Sequence, residues 1–158
     1  MQIIYDTNVL LQILRDDRSI SKLQTIHNLY DVEESISLVT VAEIRSLSMQ
    51  FQWGAIRRAK METSILGLDV LDINVPEIIE REARHQGGRY VEVDRHSKGK
   101  HLTRTSNFSA IKMGKNDLWI AATASVYECK LLTMDLDFGH LRDEFVDVAY
   151  ITSGTFVS

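Results

Sequence analysis

The stretch Gln2-Ile3-Ile4-Tyr5-Asp6-Thr7-Asn8-Val9-Leu10 decides the fold class. Gln2 to Tyr5 is short, β-rich and ended by an acid, which predicts a buried strand. Residues 7–14 follow with Val9, Leu10, Ile13 and Leu14 on one face, the spacing of an amphipathic helix. A strand that stops on a carboxylate and turns at once into a helix is the opening of a βα unit.

Working outward, the same alternation recurs. Residues 20–30 continue helically, with Leu23, Ile26, His27 and Tyr30 at helical spacing. Ser35-Ile36-Ser37-Leu38-Val39 alternates polar and apolar and predicts a second strand, followed by a helix from Val41 to Met49. Gly54 to Leu66 predicts another helix, ended by Gly67. Leu68 to Ile73 reads as a third strand. Pro76 opens a helix to about His85, since proline suits a first helical turn. Asp117 to Tyr127 is a helix with a strongly apolar face. Lys130 to Thr133 is a strand, 136–142 a helical turn, and Val146 to Ile151 a last strand. Strands alternating with helices predict an α/β fold with a mostly parallel sheet covered on both faces. Such folds collect ligands outside the carboxyl ends of the strands, near the point where strand order reverses.

The chain of 158 residues is the length of one domain, 1–158, with enough sequence to bury a core without staples. Its single cysteine, Cys129, allows no internal disulfide and reads as a small packed residue. No leader is visible at the N-terminus, and no apolar run reaches the roughly 18 residues of a membrane span. A cytoplasmic protein with no membrane partner is the expectation. Net charge is −4, which argues against a nucleic-acid partner, but the average hides an asymmetry. Residues 84–115 carry eight Lys/Arg and two acids, so that segment is +6 and the remainder −10. A basic stretch in an acidic chain suits either phosphate contact or a solvated loop. Arg95, Lys98, Lys100, Arg104, Lys112 and Lys115 are its candidate RNA-binding residues. It is dense in Gly, Ser and Thr over 87–110, where no element is assigned.

The strand-edge rule selects four acids. Asp6 follows the first strand, and Glu43 lies in the first turn of the helix after the second. Asp117 lies in the first turn of its own helix, and Asp135 is two residues beyond Leu131-Leu132-Thr133. Each has a local role open to it. Asp6 can cap a helix, Glu43 completes a capping box with Thr40, Asp117 suits a helix dipole, and Asp135 suits a turn. Local roles leave their convergence on one sheet edge unexplained. Converged carboxylates raise one another's pKa values unless a cation neutralises them, and Mg²⁺ or Mn²⁺ is the oxygen-seeking choice. One or two such ions lower the pKa of a bound water and shield a phosphodiester. No zinc-spaced Cys/His cluster, G-x-S-x-G elbow or G-x-x-x-x-G-K-[ST] loop is present.

Around these acids the sequence resembles the PIN-domain ribonucleases, most of all the VapC-type toxins of bacterial toxin–antitoxin pairs. Four ordered blocks carry the resemblance: Ile-Tyr-Asp6-Thr7-Asn8-Val-Leu; Ser-Leu-Val-Thr-Val-Ala-Glu43-Ile; Gly-Lys-Asn116-Asp117-Leu-Trp-Ile-Ala-Ala-Thr-Ala; and Leu-Leu-Thr133-Met-Asp135-Leu-Asp137-Phe138. The resemblance implies a three-layer α/β/α sandwich with a small, mostly parallel central sheet. It implies an endoribonuclease dependent on Mg²⁺ or Mn²⁺, with Asp6, Glu43, Asp117 and Asp135 as catalytic metal-binding acids and Asp137 as an auxiliary acid. Asn8 and Thr133 match polar residues that orient the acids. It further implies a homodimer and a cognate antitoxin. The chain departs from the VapC-type pattern in a basic insertion at about 87–112. The alternatives are a PIN-domain RNA-processing nuclease without an antitoxin and, in another class, a non-catalytic RNA-binding PIN domain. A phosphoacceptor receiver domain also clusters acids, but neither Asp6 nor Asp135 fits its pattern. Trp119 is expected in the core, Trp53 in the core or a dimer contact, and Arg57, Arg58 and Lys60 on a solvated helix face.

Overall fold

The computed structural model describes residues 1–16, 18–79, 114–142 and 145–152. Five strands form one sheet: β1 (Gln2–Tyr5), β2 (Glu33–Ser37), β3 (Asp69–Leu71), β4 (Lys130–Thr133) and β5 (Asp147–Tyr150). Their spatial order is β3-β2-β1-β4-β5, and every pairing is parallel. The chain builds outward from β1 through β2 to β3, then crosses back to lay β4 and β5 on the other side. The switch point therefore lies between β1 and β4. The helices α1 (Thr7–Arg15), α2 (Ser19–His27), α3 (Leu38–Gln50), α4 (Ala55–Leu66) and α5 (Lys115–Val126) connect the strands, and residues 136–141 form a 3₁₀ helix.

The side-chain alternation of the central strands divides the core in two. Ile3 and Tyr5 point into a cluster with Val9, Leu10 and Ile13 of α1, Leu23 of α2 and Ile44 of α3. Ile4 points the other way, into a cluster with Ile120, Ala121 and Ala124 of α5, Phe138 and Val148. In β4, Leu132 joins the first cluster and Leu131 the second. This is the α/β/α sandwich, with the sheet parallel throughout rather than mostly. Burying each such aliphatic side chain is worth about 1.5–3 kcal/mol, so β1 and β4, apolar on both faces, anchor the middle layer.

Several boundaries move. β2 starts at Glu33, not Ser35, because its pairing with β1 begins opposite Gln2 and ends opposite Tyr5. It stops at Ser37, and Leu38 and Val39 open α3 instead of ending the strand. Ser37 and Ser35 are fully buried, so their alternation with Ile36 does not mark a solvent face. Helix α2 ends at His27, where Asn28 adopts a left-handed φ of 52°, and Tyr30 lies beyond it, exposed. The third strand is only Asp69–Leu71. Of the helix expected from Pro76 to His85, residues 76–79 are helical and the rest lie outside the described residues, as does the whole of 87–112. Trp53 and Cys129 are core residues, Trp119 is half-buried, and Arg57 and Arg58 are exposed on α4 with Lys60 half-buried. The Arg57 guanidinium stacks over the Trp53 ring at 3.5 Å. Among the described residues, no helix is long and apolar enough to cross a membrane.

Candidate metal centre

The parallel sheet delivers the acids to one edge. Asp6 leaves β1 at its carboxyl end and is the N-cap of α1, and its own N–H bonds the Leu132 carbonyl at 3.0 Å, locking it against β4 at the switch point. Asp135 follows β4 on the same edge. Glu43 rises from α3, which starts where β2 ends. Asp117 lies at the start of α5, and α5 runs back antiparallel to the strands before β4, so its N-terminus faces that edge too.

Asp6 is 2% exposed. Its Oδ1 accepts from Thr7 N at 2.7 Å and its Oδ2 from Thr133 Oγ1 at 2.7 Å. Burial pushes its pKa up to about 6, with the Asp117 and Glu43 charges adding to the rise and the two hydrogen bonds opposing it. Thr133 Oγ1 also accepts from Asp135 N at 3.0 Å, so a single buried hydroxyl positions two acids. Asp135 in turn accepts from Asp137 N at 2.9 Å and caps the 3₁₀ helix. Asp117 is half-buried, and its Oδ2 accepts from Gly114 N at 3.0 Å. Desolvation raises its pKa despite that bond, and Asp135, Glu43 and Asp137 raise it further. A Cβ on Gly114 would sit 2.6 Å from that carboxylate oxygen, so glycine is what lets Asp117 fold back onto the turn.

The expected Glu43 capping box does not form. With α3 starting at Leu38, Glu43 stands in the second turn and Thr40 inside the helix, its buried hydroxyl without a partner among the described residues. Ser37 is the cap, accepting from Val39 N at 3.2 Å. Glu43 Oε2 instead accepts from Thr7 Oγ1 at 2.6 Å. Thr7 thus holds Asp6 with its amide and Glu43 with its hydroxyl. Sequence gave no role to it, because Glu43 is 36 residues away and only its place beside Asp6 could have drawn notice.

The four acids and Asp137 therefore share one neighbourhood, with Thr7 and Thr133 between them. Asn8 is exposed on the first turn of α1 and makes no hydrogen bond to the acids among the described residues. Lys115 is exposed at the start of α5, while Arg95, Lys98, Lys100, Arg104 and Lys112 lie outside the described residues. Among the described residues, no three His, Cys, Asp or Glu side chains stand close enough together to grip an ion. Each of the four carboxylates accepts a hydrogen bond from the protein. The donor set is nevertheless all oxygen, and the neighbouring acids add to the raised pKa of Asp6 and of Asp117, the condition a hard divalent cation relieves.

The PIN domain family model matches residues 3–144. The chain belongs to the PIN domain family. Solved structures with the same fold include VapBC2 from Rickettsia felis bound to a DNA fragment from its promoter, at 17% identity over 95% of this PIN domain and 98% of that chain, TM-score 0.62. VapBC-1 from nontypeable Haemophilus influenzae is 18% identical over 95% and 98%, TM-score 0.64. FitAB bound to an IR36 DNA fragment is 25% identical over 95% and 94%, TM-score 0.63. No curated protein sequence matches this PIN domain significantly.

Proposed function

We propose that this PIN domain is a metal-dependent endoribonuclease and the toxin of a VapBC-type pair, with Asp6, Glu43, Asp117 and Asp135 holding one or two Mg²⁺ or Mn²⁺ ions. The observation that carries the nuclease reading is the convergence of four acids, from residues 6 to 135, on the switch point of the sheet, where two threonines hold Asp6, Glu43 and Asp135 in place. The toxin reading draws on the structural neighbours, which are toxin–antitoxin complexes; a cognate antitoxin and a homodimer belong to it. Bound there, a divalent ion would activate water and neutralise charge on the scissile phosphodiester. The chain's own part is to hold the carboxylates in place. Thr7 and Thr133 fix Asp6, Glu43 and the Asp135 backbone, and Gly114 fixes Asp117. No histidine is needed as a base. Asp137 has an auxiliary place, orienting Asp135 through its amide.

The test is cleavage of RNA by the purified chain with Mn²⁺ or Mg²⁺, beside Asp6→Asn and Asp117→Asn. Both variants should lose divalent-dependent cleavage and bind Mn²⁺ more weakly. Cleavage at parental rate by either variant counts against these acids as the centre. A parent that takes up no divalent ion but still binds RNA would favour the non-catalytic alternative.

A further inference from the structure

A groove of about 520 Å³ opens from the acid cluster at Glu43. One wall is a stripe of α3: Glu43, Ser46, Leu47 and Gln50. Their spacing of three, four and seven residues puts them on one helical face. The opposite wall includes Ile73 and Asn116. Both walls begin at the cluster, since Glu43 belongs to it and Asn116 precedes Asp117. Among the described residues, no Lys or Arg lines the groove.

We infer that this groove receives one unpaired base of the RNA cut at the acids, and that Gln50 and Ser46 read its edge. The inference rests on the ribonuclease reading above. Past the ion that Glu43 would help to hold, no Lys or Arg among the described residues lines the groove to bind a second phosphate, which favours a neutral group there. A base is neutral, has two apolar faces and carries donors and acceptors on its rim. The groove matches that chemistry, with Leu47 and Ile73 for the faces and neutral amides and a hydroxyl for the rim. Gln50 Nε2 donates to Ser46 Oγ at 2.9 Å, which joins the two polar groups into one unit. Along α3, Gln50 lies about 10 Å beyond Glu43 at roughly 1.5 Å per residue, a reach suited to a base whose phosphate sits at the acids. Leu38, Val39 and Ala42 of α3 also line the groove, so a second copy is the competing occupant; the polar run of Glu43, Ser46 and Gln50 favours a base with its polar rim.

The experiment is cleavage of a random-sequence oligoribonucleotide by the Mn²⁺-loaded chain, with the product ends sequenced. The parent should prefer one base at one position beside the cut. Gln50→Leu, and Gln50→Leu with Ser46→Ala, should flatten that preference by roughly tenfold while cleavage continues. Gln50→Glu should re-rank the bases, because an acceptor-only side chain favours a base that donates. Gln50 is exposed and Ser46 half-buried on the helix surface, so the fold should survive, and an unchanged melting temperature checks that. A parent without preference, or variants that cut with preference unchanged, overturns the inference and leaves the ribonuclease reading standing. A change in sedimentation with preference unchanged assigns the groove to a second copy and overturns it likewise. Absence of any RNA cleavage by the parent overturns the ribonuclease reading itself.

Discussion

Asp6 is a carboxylate that the fold holds in an unfavourable place. Its pKa rises from 3.8 to about 6, chiefly by burial. In metal-free protein the folded state therefore keeps its proton across that window while the unfolded state loses it. The associated stability is fully present below pH 3.8, falls as pH rises through 6, and is then lost, an effect of about 3 kcal/mol. Asp6→Asn, still a good helix cap, should unfold at higher urea than the parent at pH 7.5. The gap should close below about pH 4. Mn²⁺ should raise the parent's melting temperature and leave Asp6→Asn nearly unmoved. Equal urea midpoints at pH 7.5 would remove the basis for both expectations. Thr7 acts on the same residue and on Glu43. Thr7→Val should weaken Mn²⁺ binding roughly 10- to 100-fold, and Thr7→Ser, which keeps the hydroxyl, should restore it. Equal Mn²⁺ isotherms for Val and Ser variants would show that the hydroxyl orients nothing.

At the scale of elements, the junction of β2 and α3 shows both what sequence reveals and what it hides. Ser37 caps the helix and Thr40 does not. Ser37→Ala should cost about 1 kcal/mol, whereas Thr40→Val, removing a buried hydroxyl without a partner among the described residues, should be neutral or stabilising. The reverse order in urea unfolding would restore the capping box at Thr40. The expectation failed because Thr-Val-Ala-Glu satisfies the box pattern locally, while the register of β2 against β1 fixes where the strand must stop. Periodicity carries no information about a partner strand. Elements whose signals are internal came through: β1, α1, the Gly54–Gly67 bounds of α4 and β4 lie within a residue or so of their expected limits. The same divide runs through the site. That Asp6, Glu43, Asp117 and Asp135 come to one sheet edge is legible, because the rule of strand ends points to them. The clasp made by Thr7 and the close approach at Gly114 depend on distances that no local pattern encodes.

At the scale of the whole molecule, β1 is the middle of five strands, bonded to β2 and β4 and buried on both faces. Its amides should be among the slowest to exchange with deuterium, at rates set by global unfolding. Leu131→Ala in β4 should cost about 2–5 kcal/mol and speed exchange in β1 as well, since one cooperative layer connects them. Slow exchange confined to the helices would contradict this account of the core. The hydrogen bond from Asp6 N to the Leu132 carbonyl also has a consequence for timing. The first strand made has no neighbour on one side until residues 130–133 exist, and half of the acids come from residues 117 and 135. A ribosome emitting this chain releases most of it before the four charges can meet. Whatever the acids do, they cannot do it to the machinery translating them until synthesis has passed residue 135.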